Sequence, residues 1–109
     1  MDDLPELTLA MIPEARAFWD AHVRRADRGL LDTPQPDERR VERALDEVLR
    51  RAEAEADGWA TSLAGGGMTL DDYGLRMLHM IAMTRLCAIA AGRGGWQHIT
   101  AGDLAEENA

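Results

Sequence analysis

The sequence predicts an all-α fold, a small antiparallel helical bundle of three main helices with a short N-terminal arm and a short C-terminal helix. Two long segments carry apolar residues at spacings of three and four, the period of an amphipathic helix, and a third long segment is apolar on nearly every side. Prolines or glycines separate these segments, and both residue types interrupt helices. Aromatic residues make up only 5% of the chain, whereas strands favour aromatic and β-branched side chains.

The length and composition of the chain indicate a single domain, which we place over residues 1–109. Hydrophobic residues account for 46% of the chain, a normal share for a protein with a core. The high surface-to-volume ratio of so small a chain limits its stability. Self-association would therefore stabilise it.

The N-terminal arm is predicted over residues 1–12, either as a short helical turn or as an extended segment laid over the core. Pro13 should bias Ile12 away from helix, and it suits the start of the first main helix. This helix is predicted over residues 13–28, with Gly29 as its stop. Its apolar face consists of Ala15, Phe18, Trp19, His22, Val23 and Ala26.

The second helix is predicted over residues 37–63, after a loop in which Pro34 and Pro36 prevent helix. Acidic side chains at its start complement the helix dipole, and three consecutive glycines follow its end. Its apolar stripe consists of Val41, Leu45, Val48, Ala52, Ala56, Trp59 and Leu63.

The third helix is predicted over residues 69–91, and the glycine-rich residues 92–95 are its predicted stop. Thr69 is the candidate N-cap, and Asp72 occupies the reciprocal position of a capping box. The tail, residues 96–109, follows this helix. We expect its apolar residues Trp96 and Ile99 to fold it back onto the bundle, and Thr100 to cap a short helix over residues 102–107.

The stretch from residue 77 to residue 91 should be the centre of the bundle. Its only polar residues are His79, Thr84 and Arg85, which point in separate directions around a helix. A helix without a wide polar face is normally covered on several sides. Two covering helices do not hide such a surface, so we expect a homo-oligomer or a stable complex with another protein.

The formal net charge of −8 excludes several classes of partner. So acidic a surface repels nucleic-acid phosphates and anionic membranes, and it favours basic protein surfaces. Residues 24–51 are rich in arginine, but interleaved acids make them a solvated face and not a nucleic-acid stripe. Every basic residue is Arg, which is typical of a GC-rich bacterial genome; the alternative is a preference for arginine in interface ion pairs.

The sequence predicts a soluble, cytoplasmic protein. The N-terminal residues are acidic, whereas a secretory signal begins with a basic region. The apolar run over residues 77–91 is shorter than the roughly 20 residues that span a bilayer, and Arg85 interrupts it.

The three histidines, His22, His79 and His98, are the first candidates for chemistry. None has a histidine partner at the i,i+3 or i,i+4 spacing of helical metal sites, so each is interpreted as a structural or surface residue. The alternative is a composite metal or small-ligand site made of His22, His79 and a carboxylate such as Glu14 or Asp20. We also interpret Asp72, Arg76 and His79 as a local strip of ion pairs.

No catalytic residue, metal site or cofactor is predicted, and we do not expect an enzyme. Cys87 lies within the apolar run and is interpreted as a buried structural thiol. The glycine clusters 65–67 and 92–95 are interpreted as helix ends, because neither matches a phosphate-binding loop.

Large flexible or aromatic side chains provide the candidate interface. Three methionines follow each other at steps of three in the central helix, and they either fill the core or line an adaptable groove for a partner helix. With the tryptophans they make up the predicted interface: Met77, Met80, Met83, Trp19, Trp59 and Trp96.

These features favour a non-enzymatic assembly or adaptor protein, for example an accessory subunit of a bacterial or phage complex, whose partner is another protein or a second copy. The first alternative is an acidic regulator or inhibitor that covers a basic, nucleic-acid-binding protein surface. The second alternative is the metal or small-ligand site at His22 and His79.

Overall fold

The computed structural model describes residues 6–23 and 37–108. These residues form four α-helices and contain no strand. The helices are α1 (Ile12–His22), α2 (Glu38–Ala64), α3 (Leu70–Arg93) and α4 (Ala101–Asn108). The short turn between α2 and α3 makes these two long helices antiparallel neighbours, and α1 packs against both. The predicted all-α bundle of three main helices is therefore confirmed.

The first helix differs from its predicted bounds at both ends. It ends at His22 and not at Arg28, because Val23 is extended, with φ −122° and ψ 142°. Residues 24–36, with the predicted glycine stop and proline loop, lie outside the described residues. Ile12 is helical, with φ −59° and ψ −46°, so the prediction that Pro13 keeps it out of the helix is wrong. The 3-10 turn Leu9–Met11 leads directly into α1, and a proline in the first turn removes no intrahelical hydrogen bond.

The second helix begins and ends within one residue of its predicted bounds. Asp37 is its N-cap, and the carboxylate accepts hydrogen bonds from the backbone N–H groups of Arg39 and Arg40, at 2.8 and 3.3 Å. Along its exposed face Glu47 pairs with Arg50 and, at 2.7 Å, with Arg51. The i,i+4 pair has the acid first, the more stabilising order.

The third helix begins as predicted but ends later. The Thr69 hydroxyl accepts a 3.1 Å hydrogen bond from the Asp72 N–H. The helix continues two residues beyond its predicted end at Ala91, to Arg93, and its cap is Gly94, with φ 83°, which lies within the predicted stop over residues 92–95. The N–H groups of the two residues after the helix bond to the carbonyls of Ala91 and Ala90, which is the Schellman pattern. The left-handed cap therefore selects the glycine at which the helix stops.

The core is arranged around α3, as predicted. This helix contributes the buried residues Met80, Ala82, Met83, Leu86, Cys87, Ala90 and Ala91. α1 adds the fully buried Trp19, and α2 adds Val48. The arm combines both predicted forms, because residues 6–8 are irregular and Leu9–Met11 is a 3-10 turn. Leu7 of the arm is 3% exposed and belongs to the same core.

The tail folds back onto the bundle, with Trp96 and Ile99 buried as predicted. Thr100 and Asp103 form a complete capping box for α4: the Thr100 N–H donates to the carboxylate at 2.9 Å, and the Asp103 N–H donates to the hydroxyl at 3.2 Å. Arg93 at the end of α3 pairs with the same carboxylate. The buried Asp103 therefore joins the last two helices.

By length and composition, α3 is also able to span a membrane, and it is the one helix among the described residues that meets this criterion. This helix is longer than the apolar run over residues 77–91, because it continues at both ends through less apolar residues. The core helix of a bundle meets the same criterion.

Candidate functional site

The long helices α2 and α3 border an open apolar groove with a volume of about 440 Å³, here called the α2–α3 groove. The residues from α2 are Leu45, Leu49, Ala52, Glu53 and Ala56. Those from α3 are Met77, Met80, Ile81, Thr84, Arg85 and Ala88. The groove surface is almost wholly apolar.

Two large apolar side chains of the α2–α3 groove are exposed to solvent. Leu49 is 49% exposed and Ile81 is 40% exposed, one on each helix. The core-facing sides of α2 and α3 already pack through residues such as Val48 and Leu86. Burial of Leu49 and Ile81 therefore requires an additional helix or a second protein chain. Exposed large apolar side chains that cluster in a concave surface indicate an interaction site.

The spacing along each helix explains the groove. The residues that line it on α2 include positions 45, 49, 52 and 56, and those on α3 include positions 77, 81, 84 and 88. Both sets follow the steps four, three, four, which is the spacing of a coiled-coil seam. Each helix therefore presents a largely apolar seam along the groove. Leu49, Ile81 and Ala88 are exposed on these seams, whereas Ala52 is buried and Thr84 is polar.

A second concavity of about 350 Å³ lies between α1, α2 and α3, here called the histidine pocket. The His22 Nε2 atom of α1 is 2.6 Å from the Glu55 carboxylate of α2. The His79 Nε2 atom of α3 is 3.3 Å from the Glu14 carboxylate of α1. The remaining lining residues are Ala17, Phe18, Trp59, Met80 and Met83.

The histidine pocket brings together most of the composite site that the sequence suggested. His22, His79 and Glu14 line it, whereas Asp20 does not, and Glu55 was not foreseen. Within residues 6–23 and 37–108, no group of three or more His, Cys, Asp or Glu side chains is arranged to hold a metal ion. The histidine pocket instead presents two carboxylates and two imidazoles to a ligand, beside aromatic and thioether side chains.

The predicted ion-pair strip on α3 does not form as expected. His79 pairs with Glu14 of α1, and the Arg76 guanidinium lies over the Trp59 ring, 5.8 Å from its centroid. These two contacts join α3 to α1 and to α2, because all three helices approach one another here. His98 is exposed in the tail.

The six predicted interface residues have different locations. Trp19, Met83 and Trp96 are buried in the core. Met77 and Met80 line the α2–α3 groove, and Trp59 lines the histidine pocket. The sequence reasoning missed Leu49 and Ile81, although the four-three-four spacing that places them on one seam is visible in the sequence.

Comparisons with known proteins do not assign the chain to a family. No protein family model matches it, no curated protein matches it, and no solved structure matches it.

Proposed function

We propose that this protein is a non-enzymatic helical assembly protein that dimerises through the α2–α3 groove. The observation that carries the proposal is the pair of largely apolar seams along the groove, on which Leu49 and Ile81 are exposed. Two antiparallel helices with such seams form one half of a four-helix bundle, and they lack the layer that would complete it. A second copy of the chain supplies an identical pair of helices.

The arrangement of the helices favours one dimer geometry. A two-fold axis parallel to the helices places α2 of one copy against α3 of the other. Because α2 and α3 are antiparallel within one chain, every neighbouring pair in the resulting bundle is antiparallel as well. Side chains such as Leu49 and Ile81 then enter the groove of the opposite copy.

The charges at the groove are complementary in the same geometry. Glu53 lies on the α2 side and Arg85 on the α3 side. Because Trp59 contacts Arg76, the antiparallel register places Glu53 within about one helical turn of Arg85 along the helix axes. The two-fold axis brings Glu53 of one copy opposite Arg85 of the second copy. Arg85 also interacts within its own chain, and the contact between copies adds to that interaction.

Salt separates this proposal from the acidic-regulator alternative. Two chains of charge −8 repel each other, and salt screens that repulsion while the apolar contact persists. The dimer should therefore be retained or strengthened at high salt. An acidic regulator bound to a basic protein should lose affinity as the salt concentration rises.

Ile81→Asp tests the proposal, because a charge in the centre of the groove disfavours its burial between two copies. We expect this variant to be monomeric and to keep the helical circular-dichroism spectrum of the wild type. The matched control is Leu75→Asp, which changes an exposed residue of the same helix outside the groove and should remain dimeric. Equal association of both variants would contradict the proposal.

A further inference from the structure

We propose that the histidine pocket binds a small organic amine, with its ammonium group at the carboxylates and its apolar body against the aromatic and thioether walls. This inference is independent of the proposed dimer, because the α2–α3 groove and the histidine pocket share only Met80. The volume of about 350 Å³ lies at the lower end of the range of small-molecule sites, so the ligand is small.

The walls of the pocket fit an apolar body. Phe18 of α1 and Trp59 of α2 supply aromatic surface, and Met80 and Met83 of α3 supply polarizable thioethers. Trp59 already attracts a cation, since the Arg76 guanidinium lies over its ring. Three helices contribute to these walls, so the pocket exists only in the folded bundle.

The charged groups of the pocket select a cation. Glu14 and Glu55 line it together with two imidazoles, and the lining residues include no arginine. Each carboxylate lies within ion-pair distance of one histidine, yet a carboxylate has two oxygens and about four acceptor positions. An ammonium group donates three hydrogen bonds and can use the acceptor positions that the histidines leave. An anionic ligand would instead meet two negative charges.

The mouth of the pocket is accessible to such a ligand. The side chains of Glu14 and Glu55 are 59% and 41% exposed, whereas Met80 and Met83 are buried. Charge therefore lies at the opening and apolar surface lies at the base. This arrangement fits a ligand whose apolar end enters the pocket first and whose charged end stays at the opening.

The test is titration calorimetry with three probes of the same shape: phenethylamine, phenylethanol and phenylacetate. We expect phenethylamine to bind at millimolar concentration and at least tenfold more tightly than either other probe. Glu55→Gln should weaken the binding of phenethylamine about tenfold, because it removes one charge and keeps the size of the side chain. Glu42→Gln, on the same helix and outside the pocket, should leave the affinity unchanged.

Nuclear magnetic resonance locates the bound probe. The ring signals of His22 and His79 should shift on titration with phenethylamine, and the shifts should be smaller in Glu55→Gln. Circular dichroism confirms that each variant is folded before it is titrated. Equal affinity for phenethylamine and phenylethanol, no binding of phenethylamine to the folded wild type, or equal affinity of Glu55→Gln and the wild type would each overturn the proposal.

Discussion

The Cys87 thiol of α3 lies 3.9 Å from the backbone carbonyl oxygen of Ala15 on α1, and neither residue is exposed to solvent. This contact joins the short first helix to the central helix at a point where both side chains are small. Burial raises the pKa of the Cys87 thiol from 9.0 to about 12, because the surrounding core does not solvate a thiolate. The thiol therefore stabilises the fold only while it is protonated.

Cys87 should make the stability of the protein fall at alkaline pH. Because its folded pKa is raised above the unfolded value, its contribution is complete below pH 9.0 and is lost as the pH rises towards about 12. Urea unfolding of the wild type and Cys87→Ala at about pH 8 and about pH 11 measures this effect. The wild type should lose more stability than the variant, and equal losses would exclude the thiol as the cause.

The glycines at the end of α3 should respond in opposite directions to alanine. Gly94→Ala should destabilise the protein by about 1 kcal/mol, because the residue has φ 83°. Gly92→Ala should stabilise it by about 0.5–1 kcal/mol, because this glycine lies within the helix and a Cβ there meets no atom within 4 Å. Thermal unfolding measures the stability of both variants. A loss of stability in both would contradict the assignment of Gly94 as the helix cap.

Asp103 should be the most sensitive charged residue of the C-terminal segment. It is 7% exposed and accepts hydrogen bonds from Arg93 and from the Thr100 N–H. Asp103→Asn keeps the size but weakens both bonds, and it should cost about 1–2 kcal/mol in urea unfolding. Glu106→Gln, an exposed change on the same helix, is the control and should change stability by less than about 0.5 kcal/mol.

Local sequence signals predicted where α2 and α3 begin and where α2 ends, because these helix ends carry clear capping or glycine residues. Asp37 and Thr69 are N-caps in the structure, and the glycines from residue 65 follow the end of α2. The end of α1 was missed because the apolar spacing continues to Ala26, beyond the last helical residue, His22. The stop of α3 was placed in the right glycine cluster, but the glycine within it was not selected, because a glycine in a helix costs only about 1 kcal/mol.

The candidate sites depend on tertiary contacts that periodicity does not specify. The sequence marks α3 as apolar on nearly every side, but the position of α1 decides which side is covered. Ile81 is 40% exposed, whereas Cys87, on a different side of α3, is fully buried and contacts Ala15 of α1. The sequence paired His22 and His79 as a possibility, whereas Glu55 joined them only because α2 passes the same pocket.

Opposite charges at the groove should couple energetically across the proposed dimer. Glu53→Arg and Arg85→Glu should each weaken dimerisation about three- to tenfold, because like charges then face each other twice in the assembly. The double variant should recover most of the lost affinity, since the opposite charges are restored in exchanged positions. Sedimentation equilibrium of the four proteins measures the coupling, and simply additive losses would rule out this dimer geometry.

The molar mass in solution tests the dimer most directly. Light scattering after size-exclusion chromatography, at low and at high salt, should give twice the 12.0 kDa of one chain for the wild type in both conditions. Ile81→Asp should give the mass of one chain, and Leu75→Asp should give that of the dimer. A wild-type protein of single-chain mass at both salt concentrations would contradict self-assembly through the α2–α3 groove.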